Sequence, residues 1–357
     1  MLLLTNFKKR INQKIITLFI SLWLVQNLFA QGILPSDWGL RAYQIKDKKL
    51  GQIDFYVTEK GIDQEKPLVF MVSGSRGLPV MLVVQTGDKS KQIGTVPPDQ
   101  IKYCSEKFHV ALIGKAGTPF CDTLRAEAFN PVKNLEDYQP SAEYIQKCGM
   151  EWEVQASSIV IDSLYNMLPI SGNKIIAMGF SEGGRIVVRL AAENKKITHL
   201  VSAISGGLNQ FYSSIINRRI DAATGKMTHQ EAQANIDSLF AVYEKIYSDP
   251  HNTEKWYYGH PYKRWGSFCT DIPLHHLVKL DIPILFLNGS ADRNTPILEA
   301  DYVKLEFLRL GKTNLTYKVL PRVDHSFYEV VVEDGKEKGI SHREEAFKMI
   351  IDWIQSN

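Results

Sequence analysis

Two periodicities alternate along the chain. GQIDFYVTE, from Gly51, alternates apolar and polar positions as a half-buried strand does. KPLVFMVSGSRG, from Lys66, stays apolar until it meets glycine, the pattern of a strand covered on both faces, and FHVALIGKAG repeats it. EVQASSIVIDSLYNML changes to helical spacing and leads through a turn into the apolar run IIAMGF. SEGGRIVVRLAAEN then has the spacing of a helix and THLVSAISGG that of the next strand. IPILFLNG, ending at Gly289, and LTYKVLP, from Leu315, are further strands, separated by the helix PILEADYVKLEFLRLG. A last helix closes the chain through FKMIIDWI. Such alternation predicts an α/β fold, a mostly parallel central sheet flanked by crossover helices.

Local signals set the ends of two helices. Thr295 is placed to cap the helix that follows it, with Pro296 in its first turn and Gly311 at its stop. Ser341 and Glu344 have the spacing of a capping box for the last helix. Two blocks interrupt the alternation. Residues 208–275 are polar and helix-prone and end in the aromatic cluster WYYGHPYKRWGSF. Residues 119–149 form a second insertion, which holds Cys121 and Cys148 close to its two ends.

The first 30 residues have a different character. Lys8, Lys9, Arg10 and Lys14 precede the apolar run IITLFISLWLVQNLFA, the layout of a secretory signal peptide cleaved before Gln31. The competing reading is an uncleaved anchor, for which a 16-residue run containing Gln26 and Asn27 is short. Residues 31–357 are then the exported, periplasmic or secreted protein, with no stable membrane association after cleavage. The leader holds four of the 42 Lys and Arg and none of the 39 Asp and Glu, so the rest of the chain has a net charge near −1. That balance speaks against a nucleic-acid partner, which requires a clustered basic surface. At 44% hydrophobic and 23% charged residues, the chain has ample material for a core and no disorder signature.

Four cysteines in an exported chain permit two disulfides. The position of Cys121 and Cys148 in one insertion makes them the expected pair, with Cys104 and Cys269 a possible second. No C-x-x-C spacing occurs, and the adjacent His275 and His276 lack companions for a ligand set, so no metal and no cofactor is expected.

Gly179, Ser181 and Gly183 fit G-x-S-x-G, a spacing too common by chance to decide anything alone. Its position decides more, because the serine falls at the turn from a strand into a helix. A serine hydroxyl attacks only when a neighbouring base takes its proton. Two histidines follow the last strong strands. His342 falls in the first turn of the last helix and reads as solvated, whereas His325 lies in a loop directly after a strand. Asp292, just past a buried strand, is the candidate carboxylate; Asp324 is too close in sequence to His325 to face it and reads as loop-structuring.

Ser181, Asp292 and His325 occur in that order, each beyond the carboxyl end of an expected strand. Here the chain resembles the α/β-hydrolase family over about residues 50–357, through GFSEGG, LNGSADRNTP and VDHSF. The resemblance implies a nucleophile (Ser181), a base (His325) and a carboxylate that orients it (Asp292). It also implies an oxyanion hole made by the backbone N–H of Glu182 and one from the loop VSGSRG, with Ser75 the matching donor and Arg76 the alternative. In that loop Ser73 stands where the family often has histidine. Residues 208–275 fall where the family commonly inserts a helical cap or lid. The expectation is an exported serine hydrolase cleaving an ester or related acyl bond of a small-molecule or peptide substrate, through an acyl-enzyme. The alternatives are a peptidase or aminopeptidase of the same fold and a non-catalytic binding protein on that scaffold.

Overall fold

Alternation inside single strands lets one sheet serve two cores. The computed structural model describes residues 33–96, 98–333 and 335–357, so the expected leader lies outside the described residues. The main sheet comprises β1 (Leu40–Asp47), β2 (Gly51–Thr58), β3 (Lys66–Val72), β4 (His109–Ile113), β5 (Ile170–Phe180), β6 (His199–Ala203), β7 (Ile284–Gly289) and β8 (Leu315–Leu320). Their order is β1-β2-β4-β3-β5-β6-β7-β8. All pairings from β4 to β8 are parallel; only those of β2, with β1 and with β4, are antiparallel.

The principal helices are α1 (Met150–Met167), α2 (Glu182–Glu193), α3 (Gln210–Ala223), α4 (His229–Ser248), α5 (Tyr262–Thr270), α6 (Ile297–Arg309) and α7 (Arg343–Ser356). In β3, Leu68, Phe70 and Val72 join the core formed with α1, α2 and α6, while Val69 and Met71 join the opposite core with α7. Ile284 and Phe286 of β7 divide from Leu285 and Leu287 in the same way. A strand covered on both faces has no polar side, which explains its unbroken apolar sequence.

Between β6 and β7 the chain builds α3, α4 and α5 around a small core of Phe211, Tyr243, Ile246, Trp265 and Cys269. The rings of Phe211 and Tyr243 stack there with centroids 3.8 Å apart. Most of the aromatic cluster is therefore packing, although Phe268 of α5 joins the sheet-side core.

Several expectations are corrected. β1 is an edge strand with only Leu40 fully buried, so its apolar signal is weak. A three-stranded sheet of Met81–Thr86, Lys89–Gly94 and Cys121–Arg125, and the hairpin Tyr328–Glu333/Lys336–Ser341, were likewise not anticipated. Thr295 does not cap α6; its hydroxyl and N–H both turn to Asp292, and Pro296 takes the cap position. The capping box expected at the start of α7 does not form: Ser341 remains in the hairpin, and His342, now the cap residue, makes no side-chain bond to the helix backbone, its ring bonding the Glu345 carboxylate instead.

Cys121 and Cys148 are not bridged, and all four cysteines are free thiols. Cys121 begins a strand paired with Met81, whereas the Cys148 thiol turns back to the carbonyl of Ile145, 3.2 Å away. Burial pushes the thiols of Cys104 and Cys148 up to about 12, which disfavours the thiolate that disulfide exchange requires. No helix among the described residues is long and apolar enough to cross a membrane.

Candidate active site

Backbone contacts force the chain into a sharp turn where β5 meets α2. Ser181 adopts φ 56° and ψ −119°, a conformation that costs a non-glycine residue about 1–3 kcal/mol. A β-carbon on Gly183 would overlap the carbonyl oxygen of Val72, at the end of β3, and one on Gly179 would overlap Gly183 itself. Both glycines are therefore needed for backbone to pass this closely, which is the physical content of the G-x-S-x-G spacing.

The carboxyl ends of β7 and β8 carry the other two side chains. Asp292 Oδ1 accepts from the N–H groups of Asn294 and Thr295 at 2.8 and 2.9 Å, and Oδ2 from the Thr295 hydroxyl at 2.7 Å. Its side chain is fully buried, so these bonds replace water. His325 sits in the loop after β8, shaped by Asp324, whose Oδ1 accepts from the N–H groups of Ser326 and Tyr328.

The three side chains meet. His325 Nδ1 lies 2.7 Å from Asp292 Oδ2, and His325 Nε2 lies 2.9 Å from Ser181 Oγ. An imidazole that donates Nδ1–H to a carboxylate presents Nε2 as an acceptor, in line to take the serine proton.

The loop after β3 approaches the same serine. A β-carbon on Gly74 would stand 3.7 Å from Ser181 Cβ, so the residues that follow it, Ser75 and Arg76, begin beside the elbow. Among the described residues, neither Ser75 nor Glu182 donates its N–H to a protein acceptor. The Glu182 N–H belongs to the unsatisfied first turn of α2, where an anion is favoured.

Sequence reasoning missed what surrounds Glu182. Its buried carboxylate accepts two bonds from Arg264 of α5, one of them at 2.8 Å, and lies 3.5 Å from Lys115, which also bonds Glu153 at 2.9 Å. Burial alone would raise the Glu182 carboxyl, but Arg264 and Lys115 outweigh it and hold it well below the ordinary range. The reverse holds for nearby His260, which burial and Arg264 push down to about 3, so its ring is neutral. Nothing in the sequence joins positions 115, 153, 182 and 264, because four different elements supply them.

A cleft of about 210 Å³ opens beside this region, walled by Arg76, Glu136, Tyr138, Tyr144, Trp256 and His260 among others. Glu136, Tyr138 and Tyr144 come from the 119–149 insertion and Trp256 and His260 from the block between β6 and β7. Both interruptions of the α/β pattern thus meet at one cleft. Arg76 stands a long 3.9 Å from Glu136 there. Among the described residues, no group of three or more His, Cys, Asp or Glu side chains is gathered as a metal site.

His342 is not the free solvated residue expected from its position. Its ring is held between Glu345, at 2.8 Å, and Glu329, at 3.1 Å, and the bond to Glu345, with that to Glu329, raises its pKa. A raised folded-state pKa stabilises below the unfolded value near 6.5 and loses that effect as pH rises through the folded value. Melting curves of His342→Ala against the parent should therefore differ most below about pH 6.5 and converge at alkaline pH. Turnover should stay within about twofold, since this ring contacts neither Ser181 nor Asp292. A collapse of turnover would displace His325 as the base.

No protein-family model matches the chain, and no curated protein matches it. Solved structures do. Pyrococcus horikoshii acylaminoacyl peptidase aligns over 88% of this chain and 41% of its own, with 11% identity and a TM-score of 0.53. Porphyromonas gingivalis dipeptidyl peptidase 4 aligns over 89% of this chain and 35% of its own, with 11% identity and a TM-score of 0.51. The chain spans less than half the length of these neighbours. The likeness is one of fold, the mostly parallel, helix-flanked sheet of α/β hydrolases.

Proposed function

We propose that this chain is a serine hydrolase of acyl bonds, and that peptides or aminoacyl amides are its substrates in preference to simple esters. The observation that carries the reading is the unbroken hydrogen-bonded series Ser181–His325–Asp292, with its 2.9 and 2.7 Å links. Ser181 attacks the carbonyl carbon as its proton passes to His325 Nε2. Asp292 holds the imidazole tautomer and offsets the charge of the imidazolium. The N–H groups of Glu182 and Ser75 stabilise the oxyanion. His325 then gives the proton to the leaving group, and water completes the cycle by hydrolysing the acyl-enzyme. The preference for amides is supported by the two neighbours, both named as peptidases.

The same proposal treats the block between β6 and β7 as a lid whose underside bounds the substrate recess. Support comes from Trp256 and His260, which line the cleft beside the Arg76 loop. The protein's proposed setting is export, on the layout of residues 1–30.

Labelling with a fluorophosphonate, followed by matched ester and aminoacyl-amide panels, tests the function. Failure of the folded protein to label refutes a serine hydrolase; turnover of esters alone refutes the amide preference. Trp256→Ala should raise KM for the best amide about tenfold, a loss of about 1.4 kcal/mol, while labelling by a small fluorophosphonate is unchanged. An unaltered KM across the panel would remove Trp256, and the lid, from substrate recognition.

A further inference from the structure

We infer that Arg264 is a positioning residue for the reaction proposed above: through Glu182 it fixes the direction of the peptide N–H that follows Ser181. The inference rests on that proposed reaction. Lys115 from the loop after β4, Glu153 from α1, Glu182 from α2 and Arg264 from α5 converge with side chains only 1–3% exposed. Arg264 occupies Glu182 Oε2, and Lys115 stands 3.5 Å from Oε1, so both carboxylate oxygens are held. The guanidinium is itself fixed between two rings, its carbon 4.5 Å from the centroids of both Trp265 and Phe268.

Stability does not account for such a cluster. Buried ion pairs are often matched or surpassed by apolar residues of the same volume, because desolvation offsets the Coulombic gain. Geometry offers a better account. The direction of the Glu182 N–H is set by ψ of Ser181, which stands at −119° in a turn that backbone preferences oppose. A glutamate gripped at both oxygens anchors the far side of that peptide plane, so the turn cannot relax and swing the N–H away. An oxyanion donor works only when aimed in advance, and losing one lowers kcat about 10²–10³-fold. Arg264 belongs to the segment between β6 and β7, so the docking of that segment holds the donor in place.

Three variants test this: R264K, R264M and the double variant E182M/R264M. Each is followed by kcat, KM, fluorophosphonate labelling rate and melting temperature. R264K keeps the charge but loses the two-pronged grip, and its kcat should fall about tenfold with KM within twofold. R264M should melt lower, because Glu182 is left buried against a partner it has lost. The double variant should recover most of the melting temperature while kcat and labelling stay at least about tenfold down. Recovery of kcat in the double variant would overturn the inference, because Arg264 would then serve only to neutralise a buried charge. Unchanged kcat in folded R264K would overturn it too, and R264K alone decides if the other two fail to fold. A parent protein that neither labels nor turns over would refute the hydrolase reading itself, which separates the two failures.

Discussion

Ser181→Ala is expected to abolish covalent capture by a fluorophosphonate and to lower turnover about 10⁶-fold, the scale of loss for removing a serine nucleophile. Among the described residues, no other hydroxyl is hydrogen-bonded to His325, so no second nucleophile stands ready there to replace it. The fold should tolerate the change. Ser181 makes no side-chain cap bond to α2, and its φ of 56° is enforced by the surrounding backbone. Alanine carries the same β-carbon and so the same strain. Melting temperature should therefore remain within a few degrees of the parent, a shift corresponding to less than about 1 kcal/mol. Intact-mass measurement after labelling reads the result directly. A labelled Ser181→Ala protein would place the reactive group elsewhere and refute the elbow as the site of attack.

The parts of this site that were legible in the sequence share a physical cause. Buried parallel strands must be apolar on both faces, so β3, β4, the second half of β5 and β7 stand out as apolar runs. Residues just beyond their carboxyl ends are then located without any coordinates. Ser181 and Asp292 follow β5 and β7 in this way, while His325 follows β8, a half-buried edge strand legible from its own short run, and the structure brings the three together. The glycines of the turn were legible too, since only backbone passing at van der Waals contact excludes a β-carbon.

What was not legible lies in pairings between distant elements. Glu182 looked like a first-turn helix residue, and only the fold reveals that Arg264 and Lys115 grip it. Thr295 had every mark of a helix cap, but it faces a choice of partners, and the buried Asp292 takes both its N–H and its hydroxyl. Cysteine spacing misled for a related reason. Cys121 and Cys148 frame an insertion in sequence, yet Cys121 lies in a strand paired with Met81, while the Cys148 thiol, at a helix end, turns to the carbonyl of Ile145. The same insertion contributes through Glu136, Tyr138 and Tyr144, whose common position on the cleft wall follows from two short helices that no periodicity announced.

Asp292→Asn probes the tautomer and not the geometry, and it should lower kcat about 10⁴-fold, as the equivalent change does in a serine protease. The asparagine amide is nearly the shape of the carboxylate, but one of its two positions is now a donor. Oδ1 of Asp292 accepts two backbone N–H groups, at 2.8 and 2.9 Å, so the carbonyl oxygen of asparagine must occupy that site. The NH₂ group is then forced into the Oδ2 position, facing His325 Nδ1 at 2.7 Å and the Thr295 hydroxyl at 2.7 Å. An imidazole beside a donor becomes the acceptor at Nδ1 and carries its proton on Nε2, where it meets the Ser181 hydroxyl as a second donor. The serine then has no base. The tautomer ratio of a neutral imidazole does not vary with pH, so the loss should ease at higher pH only as far as hydroxide takes the serine proton in place of His325. KM should change little, since Asp292 is buried away from the cleft. Turnover of Asp292→Asn within about tenfold of the parent at neutral pH would show that Asp292 does not select the tautomer.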